Sequence, residues 1–222
     1  MDERYRSDYE GEFVVTNNRI VGGKKVQDRE WIQNPIENQH ISGRAVCIAD
    51  GASRSNFSIN KLENHRGGLL GKLRLQSYGV GRVCDEIVCN FYITRDKETL
   101  SRLVERQYTV NTVCYTSTRS LIEHPGEFYL LPMGQKGTDE FMAVWLACFD
   151  GHKEIYMIGY EPTEKVAKQI AEIMMVYKGV KFFRVSPGIK DNQTDHLTPE
   201  SWKWQPNFQD MSYRQWITHC DI

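Results

Sequence analysis

The feature that most restricts the fold is the alternation of helix-like and strand-like stretches between Thr138 and Val185. Thr138-Asp139-Glu140 opens a run through Phe141, Met142, Val144, Trp145, Leu146 and Cys148. That run is apolar nearly all round, which predicts a capped and buried helix ending at Asp150-Gly151. Residues 154–160 read as a strand. Residues 163–177 read as an amphipathic helix with Pro162 in its first turn, Val166, Ile170, Ile173, Met174 and Tyr177 on one face, and Gly179 closing it. Residues 180–185 give another strand before Pro187-Gly188. Helix and strand in turn build a parallel sheet wrapped by helices.

The same grammar appears earlier in the chain. The apolar run Ala45-Val46-Cys47-Ile48-Ala49 empties directly into Asp50-Gly51-Ala52-Ser53, a buried strand followed by a tight turn. Gly51 is expected to supply a positive φ, Ala52 and Ser53 a close backbone approach, and Ser53 or Ser55 a helix cap. Such a loop offers N–H groups to an anion, although Gly-Ser turns also serve ordinary strand–helix connections. Residues 73–78 and 87–93 read as further strands, 83–86 as a brief helical turn, 97–106 as a helix, and 111–116 and 128–132 as short strands. Ligands of open parallel sheets gather beyond the carboxyl ends of the strands. Asp50, Tyr78, Asn90, Glu161 and Ser186 are expected to meet there.

Upstream, strand formers and turn formers alternate from Phe13 through Gly22-Gly23 to Val26, which predicts a hairpin, and residues 31–42 read as a linker around Pro35. Downstream, residues 191–222 carry Trp202, Trp204, Phe208, Tyr213 and Trp216 without a clear period. So many aromatic rings imply packing on the domain or on a partner.

Composition narrows the function classes. With 222 residues the chain suits one large domain plus extensions, and a formal net charge of −1 gives no global field to draw in nucleic acid or an acidic membrane. The six cysteines lack any CxxC pair and lie mostly in apolar runs, so they read as buried hydrophobes in a reducing compartment rather than zinc ligands. Residues 1–12 are charged and polar, so no secretory signal is expected, and no apolar stretch is long enough to span a bilayer.

The order of AVCIADGASRSNFSINKL, QSYG, IVCNFYITRD and TDEFMAVWLACFDGHKEIYMIGYE resembles bacterial lipooligosaccharide sialyltransferases, together with uncharacterised phage proteins and motility-associated proteins of the same core. The likeness runs from Ala45 to Pro187. Asp50-Gly51-Ala52-Ser53 matches the family's nucleotide loop, and the stretch from Gly151 to Glu161 matches its late strand motif. Asp50 replaces the family's loop asparagine and Glu161 its terminal aspartate. The resemblance implies a Rossmann-like α/β domain over 44–190, between an N-terminal extension with a hairpin (1–43) and the aromatic tail (191–222).

It further implies a sugar nucleotide as donor substrate, held by Asp50, Gly51, Ala52, Ser53, Arg54, Tyr78, Asn90 and Glu161. A divalent ion or Arg54 would have to offset Asp50 beside phosphates. His196, the one candidate placeable for the histidine that the family carries in a segment after the late-motif strand, would be the base for an acceptor hydroxyl. The alternative is a non-catalytic phage protein, a virion or assembly component in contact with virion proteins or copies of itself, that retains the nucleotide-binding fold. The expected location is accordingly the host cytoplasm or the virion.

Overall fold

The computed structural model describes residues 12–33, 43–55, 57–59, 62, 75–131, 137–187 and 198–221, with side chains in the first of these segments described at 22–24 alone. The N-terminal strands β1 (Glu12–Val21) and β2 (Lys24–Gln33) pair antiparallel, with Val21 opposite Lys24. Gly22 and Gly23 between them have φ of 59° and 78°, the two positive values that a two-residue hairpin turn demands. The hairpin is longer than expected: Trp31-Ile32-Gln33, read as the start of a linker, complete its second strand.

The remaining strands form one eight-stranded parallel sheet. In chain order these are β3 (Arg44–Ile48), β4 (Gln76–Gly79), β5 (Phe91–Ile93), β6 (Val113–Thr116), β7 (Tyr129–Leu130), β8 (Glu154–Ile158), β9 (Lys181–Ser186) and β10 (Phe208–Ser212). Their spatial order is β10-β9-β8-β3-β4-β5-β6-β7. The chain therefore starts in the middle, builds outward to β7, crosses back, and builds outward on the other side of β3. The expected doubly wound, Rossmann-like α/β architecture is what the structure has.

Four residues of β3 show how the faces divide. Ala45 and Cys47 point into a core made with α3 (Asp139–Phe149) and α4 (Glu164–Val176), whereas Val46 and Ile48 point into a second core made with α6 (Tyr213–Cys220). A third cluster on that second side joins Tyr92 and Cys114 to Leu100 and Leu103 of α1 (Lys97–Glu105), with Leu121 of α2 (Thr118–Glu123) against it. All of Phe141–Phe149 in α3 is buried, as a helix without a polar stripe requires. Thr138 caps it by accepting from the Phe141 N–H, and Asp139 at its start pairs with Arg95 at 2.8 Å. The six cysteines are free and buried. No helix among the described residues is long and apolar enough to cross a membrane.

The aromatic tail is part of the sheet. Its segment 208–212 is the edge strand β10, parallel to β9, and its polar sequence FQDMS conceals a strand because both faces are partly open to water. Trp202 of α5 (Glu200–Lys203) is fully buried and donates its indole N–H to the Ala167 carbonyl at 2.8 Å. Trp216 is fully buried under the opposite face, while Trp204 remains 80% exposed. Asn207 closes the C-terminal end of α4, its Nδ2 donating to the carbonyls of Met174, Tyr177 and Val180.

Candidate functional site

Strand order reverses between β3 and β8, the point at which the two crossover series diverge and leave a crevice at the carboxyl ends. The loop after β3 lines that crevice on one side and the loop after β8 on the other. They are in backbone contact: the Ala49 N–H donates to the Ile158 carbonyl at 2.9 Å and the Gly51 N–H to the Gly159 carbonyl at 3.0 Å. A Cβ on Gly51 would lie 2.3 Å from the Gly159 oxygen, and one on Gly159 would lie 2.3 Å from the Ala49 oxygen.

Gly51 is thus required for close approach and not, as expected, for positive φ. Its φ is −62°, and Gly159 carries the left-handed φ of +70°. Nor does Ser53 or Ser55 cap a helix. Residues Ala52–Arg54 form a single 3-10 turn whose N-cap is Gly51, leaving Ser53 buried inside it and Ser55 at its end. Ala52 faces solvent.

The anion-binding capacity expected of the loop is occupied by the chain itself. The Ser53 N–H donates to Oε1 of Glu161 at 2.5 Å, the Arg54 N–H to the Gly51 carbonyl and the Ser55 N–H to the Ala52 carbonyl. Asp50 is exposed and accepts from the Arg82 N–H at 3.2 Å. Its carboxylate lies where a Cβ on Gly81, at φ +68°, would come within 2.7 Å. Arg54 holds Glu86 in a two-pronged ion pair, Nη1 to Oε2 at 2.7 Å and Nη2 to Oε1 at 2.5 Å. That bond raises the Arg54 pKa and lowers that of Glu86.

Three further groups at this edge escaped the sequence reading. Tyr213, at the start of α6, donates its hydroxyl to the Ser53 carbonyl at 2.7 Å and ties the tail to the loop. Glu86 captures Arg54. Arg184 lies within the apolar strand β9 and is only 3% exposed. Its Nη1 donates to Thr198 Oγ1 at 2.9 Å, and that hydroxyl in turn donates a hydrogen bond to Asp210 Oδ1 at 2.6 Å. Burial lowers the Arg184 pKa, against the opposing pull of Asp210, Glu161 and Tyr213.

Two expected site residues lie elsewhere. Tyr78 is fully buried in β4, and its hydroxyl donates to Asp150 Oδ2 at 2.6 Å and meets His152 Nε2 at 3.0 Å. Asp150 and His152 precede β8, so the ring points to the amino end of the sheet. With its proton on Asp150, the phenol oxygen accepts from Nε2–H of His152. Asn90 is also at the amino end, because β5 begins only at Phe91 and not at 87 as read. There it brackets Ser77, whose N–H and hydroxyl both bond Asn90 Oδ1 at 2.9 and 3.1 Å, while the Asn90 N–H returns to Ser77 Oγ at 2.9 Å.

His196 lies outside the described residues. The described histidines stand away from the crevice: His152 against Tyr78, His219 beside Glu154 at the start of β8, and His124 edge-on to Phe128. Among the described residues no group of three or more His, Cys, Asp and Glu side chains is arranged to hold a metal ion. No protein-family profile, curated protein or solved structure matches the chain.

Proposed function

We propose that the protein binds a sugar nucleotide in the crevice between the carboxyl ends of β3 and β8, as a glycosyltransferase-like protein. The observation that carries this reading is the reversal of strand order at a loop of small residues in backbone contact with its neighbour. In doubly wound sheets that position is where nucleotides enter. Exposed Asp50 and Glu161 flank the crevice, and Asp50 is suited to accept hydrogen bonds from sugar or ribose hydroxyls. Asp50 with a ligand's phosphates would hold a divalent ion if one takes part, and nothing else in the reading depends on it. Transfer to a hydroxyl acceptor would need a base, the role given to His196.

A specific observation favours a second reading. The Ser53 amide already holds Glu161 and Arg54 already holds Glu86, a loop satisfied without a ligand. That suits a phage protein, in a virion or its assembly in the host, that kept the fold and uses it as a building block among copies of itself or virion proteins.

A thermal-shift screen of the whole chain against CMP-, UDP- and GDP-sugars, with and without a divalent ion, separates the two. Binding at a hundred times Kd adds about 2.7 kcal/mol of stability, a shift of several degrees. Ala52→Arg is the companion variant, since Ala52 is exposed and Ser53 buried. It should keep the melting temperature and lose the ligand response. No stabilisation at millimolar ligand, with a stable oligomer on a sizing column, overturns the enzyme-like reading in favour of the building block.

A further inference from the structure

At the carboxyl edge lies a buried cation, Arg184, that bonds no carboxylate directly among the described residues. The Nε of Arg184 has no hydrogen-bond partner. Among the described residues no carboxylate stands within ion-pair distance of its guanidinium, and its link to Asp210 runs only through the Thr198 hydroxyl. A buried guanidinium ordinarily has a carboxylate or a phosphate on its fork. Glu161 and Tyr213 act on it electrostatically, and both touch Ser53, one at its N–H and the other at its carbonyl. Arg184 stands opposite Met157 in β8, four residues before Glu161, so Glu161 neighbours both the Ser53 amide, by a hydrogen bond, and Arg184, by its charge, at the carboxyl ends of the strands. Among the described residues the anion bonded to the Ser53 amide is the Glu161 carboxylate.

We propose that the edge around Glu161 is an oxyanion seat for a phosphate or pyrophosphate group, with the Ser53 N–H and Arg184 as its donors and Glu161 as an internal occupant that the ligand displaces. The Glu161 oxygen stands where a phosphate oxygen would. The side chain is exposed and follows the end of β8, so its displacement need not move a strand. A tethered carboxylate competes at an effective concentration of about millimolar or more, which keeps the seat closed to weakly bound anions and opens it to a ligand anchored elsewhere in the crevice. Arg184 then gains a directly bonded counter-charge, which it does not have among the described residues.

The proposal rests on the reading of the crevice as a nucleotide site, and the test is arranged to separate them. Isothermal titration of the whole chain with inorganic pyrophosphate, UDP and uridine compares the unchanged protein with Glu161→Ala. Removing the occupant should tighten pyrophosphate and UDP at least tenfold and leave uridine unchanged. In the Glu161→Ala background, Arg184→Lys keeps the charge but removes the Nε donor and should cancel most of the gain; Arg184→Met should cancel all of it if it folds. Equal pyrophosphate affinity with and without Glu161, or a gain that survives Arg184→Lys in full, overturns the proposal. If Glu161→Ala gains pyrophosphate while no nucleotide sugar stabilises either protein, the seat stands and the glycosyltransferase reading falls. If nucleotide sugars bind both proteins equally, that reading stands and the seat falls.

Discussion

At the amino end of the sheet one phenol, Tyr78, joins Asp150 and His152; at the carboxyl end Ser53 and Glu161 bond each other while Arg184 bonds neither. Both groups put polar atoms deep in an apolar protein, and Tyr78, Asp150, His152 and Arg184 are all at most 3% exposed. The difference lies in the partners. The phenol of Tyr78 reaches an acceptor and a ring nitrogen at 2.6 and 3.0 Å. At the other end a guanidinium is met by one neutral hydroxyl, and the carboxylate nearest in function bonds a backbone amide at the rim. A buried polar group bonded within the chain fixes a fold; one short of a partner beside an open crevice is the place to look for a ligand.

The strongest way to break this contrast is through the backbone. Gly159→Ala should be the most damaging substitution, because it places a Cβ 2.3 Å from the Ala49 oxygen at a φ of +70°. The left-handed conformation and the overpacking together cost about 2–5 kcal/mol, read as a lower midpoint in urea unfolding. Gly179→Ala is the control, with nothing within 4 Å of the added carbon, and should stay within about 0.5 kcal/mol. If the two variants unfold alike, the loops after β3 and β8 are not in the tight contact on which the crevice depends.

Next in size is Tyr78→Phe. It strips a buried carboxylate and a buried imidazole of a shared partner and should cost about 1–3 kcal/mol, with no change in any ligand-induced thermal shift. A variant of normal stability that loses its ligand response would move Tyr78 back to the ligand site and erase the distinction between the two ends.

The same contrast marks what the sequence could disclose. The elements of high periodicity were legible: α3 read as 138–148 runs Asp139–Phe149, α4 read as 163–177 runs Glu164–Val176, and the strand flowing into Asp50 is β3. Local chemistry dictates them, through caps, apolar stripes and glycine stops. Tyr78 was misplaced because its partners lie 72 and 74 residues further along the chain, and no local pattern reports a contact of that range. Glu161 was legible as a residue at the carboxyl end of its strand, but its bond to an amide 108 residues away was not. Arg184 passed unnoticed as one charge in an apolar strand, and a charge with no alternating polar neighbours in a strand buried on both faces is itself the signal that would have found it. The edge strand β10 was hidden for the opposite reason, since exposure on both sides left it too polar to read as a strand.

The smallest effect belongs to the Arg54–Glu86 pair, and it tests which carboxylate guards the loop. Glu86 has a side-chain exposure of 45% against 11% for Arg54, so solvent screens the pair and Glu86→Gln should cost no more than about 1 kcal/mol. The Arg54 hydrogen bond holds the Glu86 pKa below its ordinary 4.5. A carboxyl group depressed on folding contributes stability that is complete above its unfolded value and disappears as pH falls through the folded one. The difference between the unchanged chain and Glu86→Gln should therefore be flat above about pH 5.5, one unit past that ordinary value, shrink below 4.5, and weaken with added salt. Freed of Glu86, Arg54 gains a guanidinium fork to offer, yet pyrophosphate affinity should stay that of the unchanged protein, because Glu161 still holds the Ser53 amide. A gain equal to that of Glu161→Ala would mean that the ion pair, and not Glu161, keeps anions out, and would transfer the seat from Arg184 to Arg54.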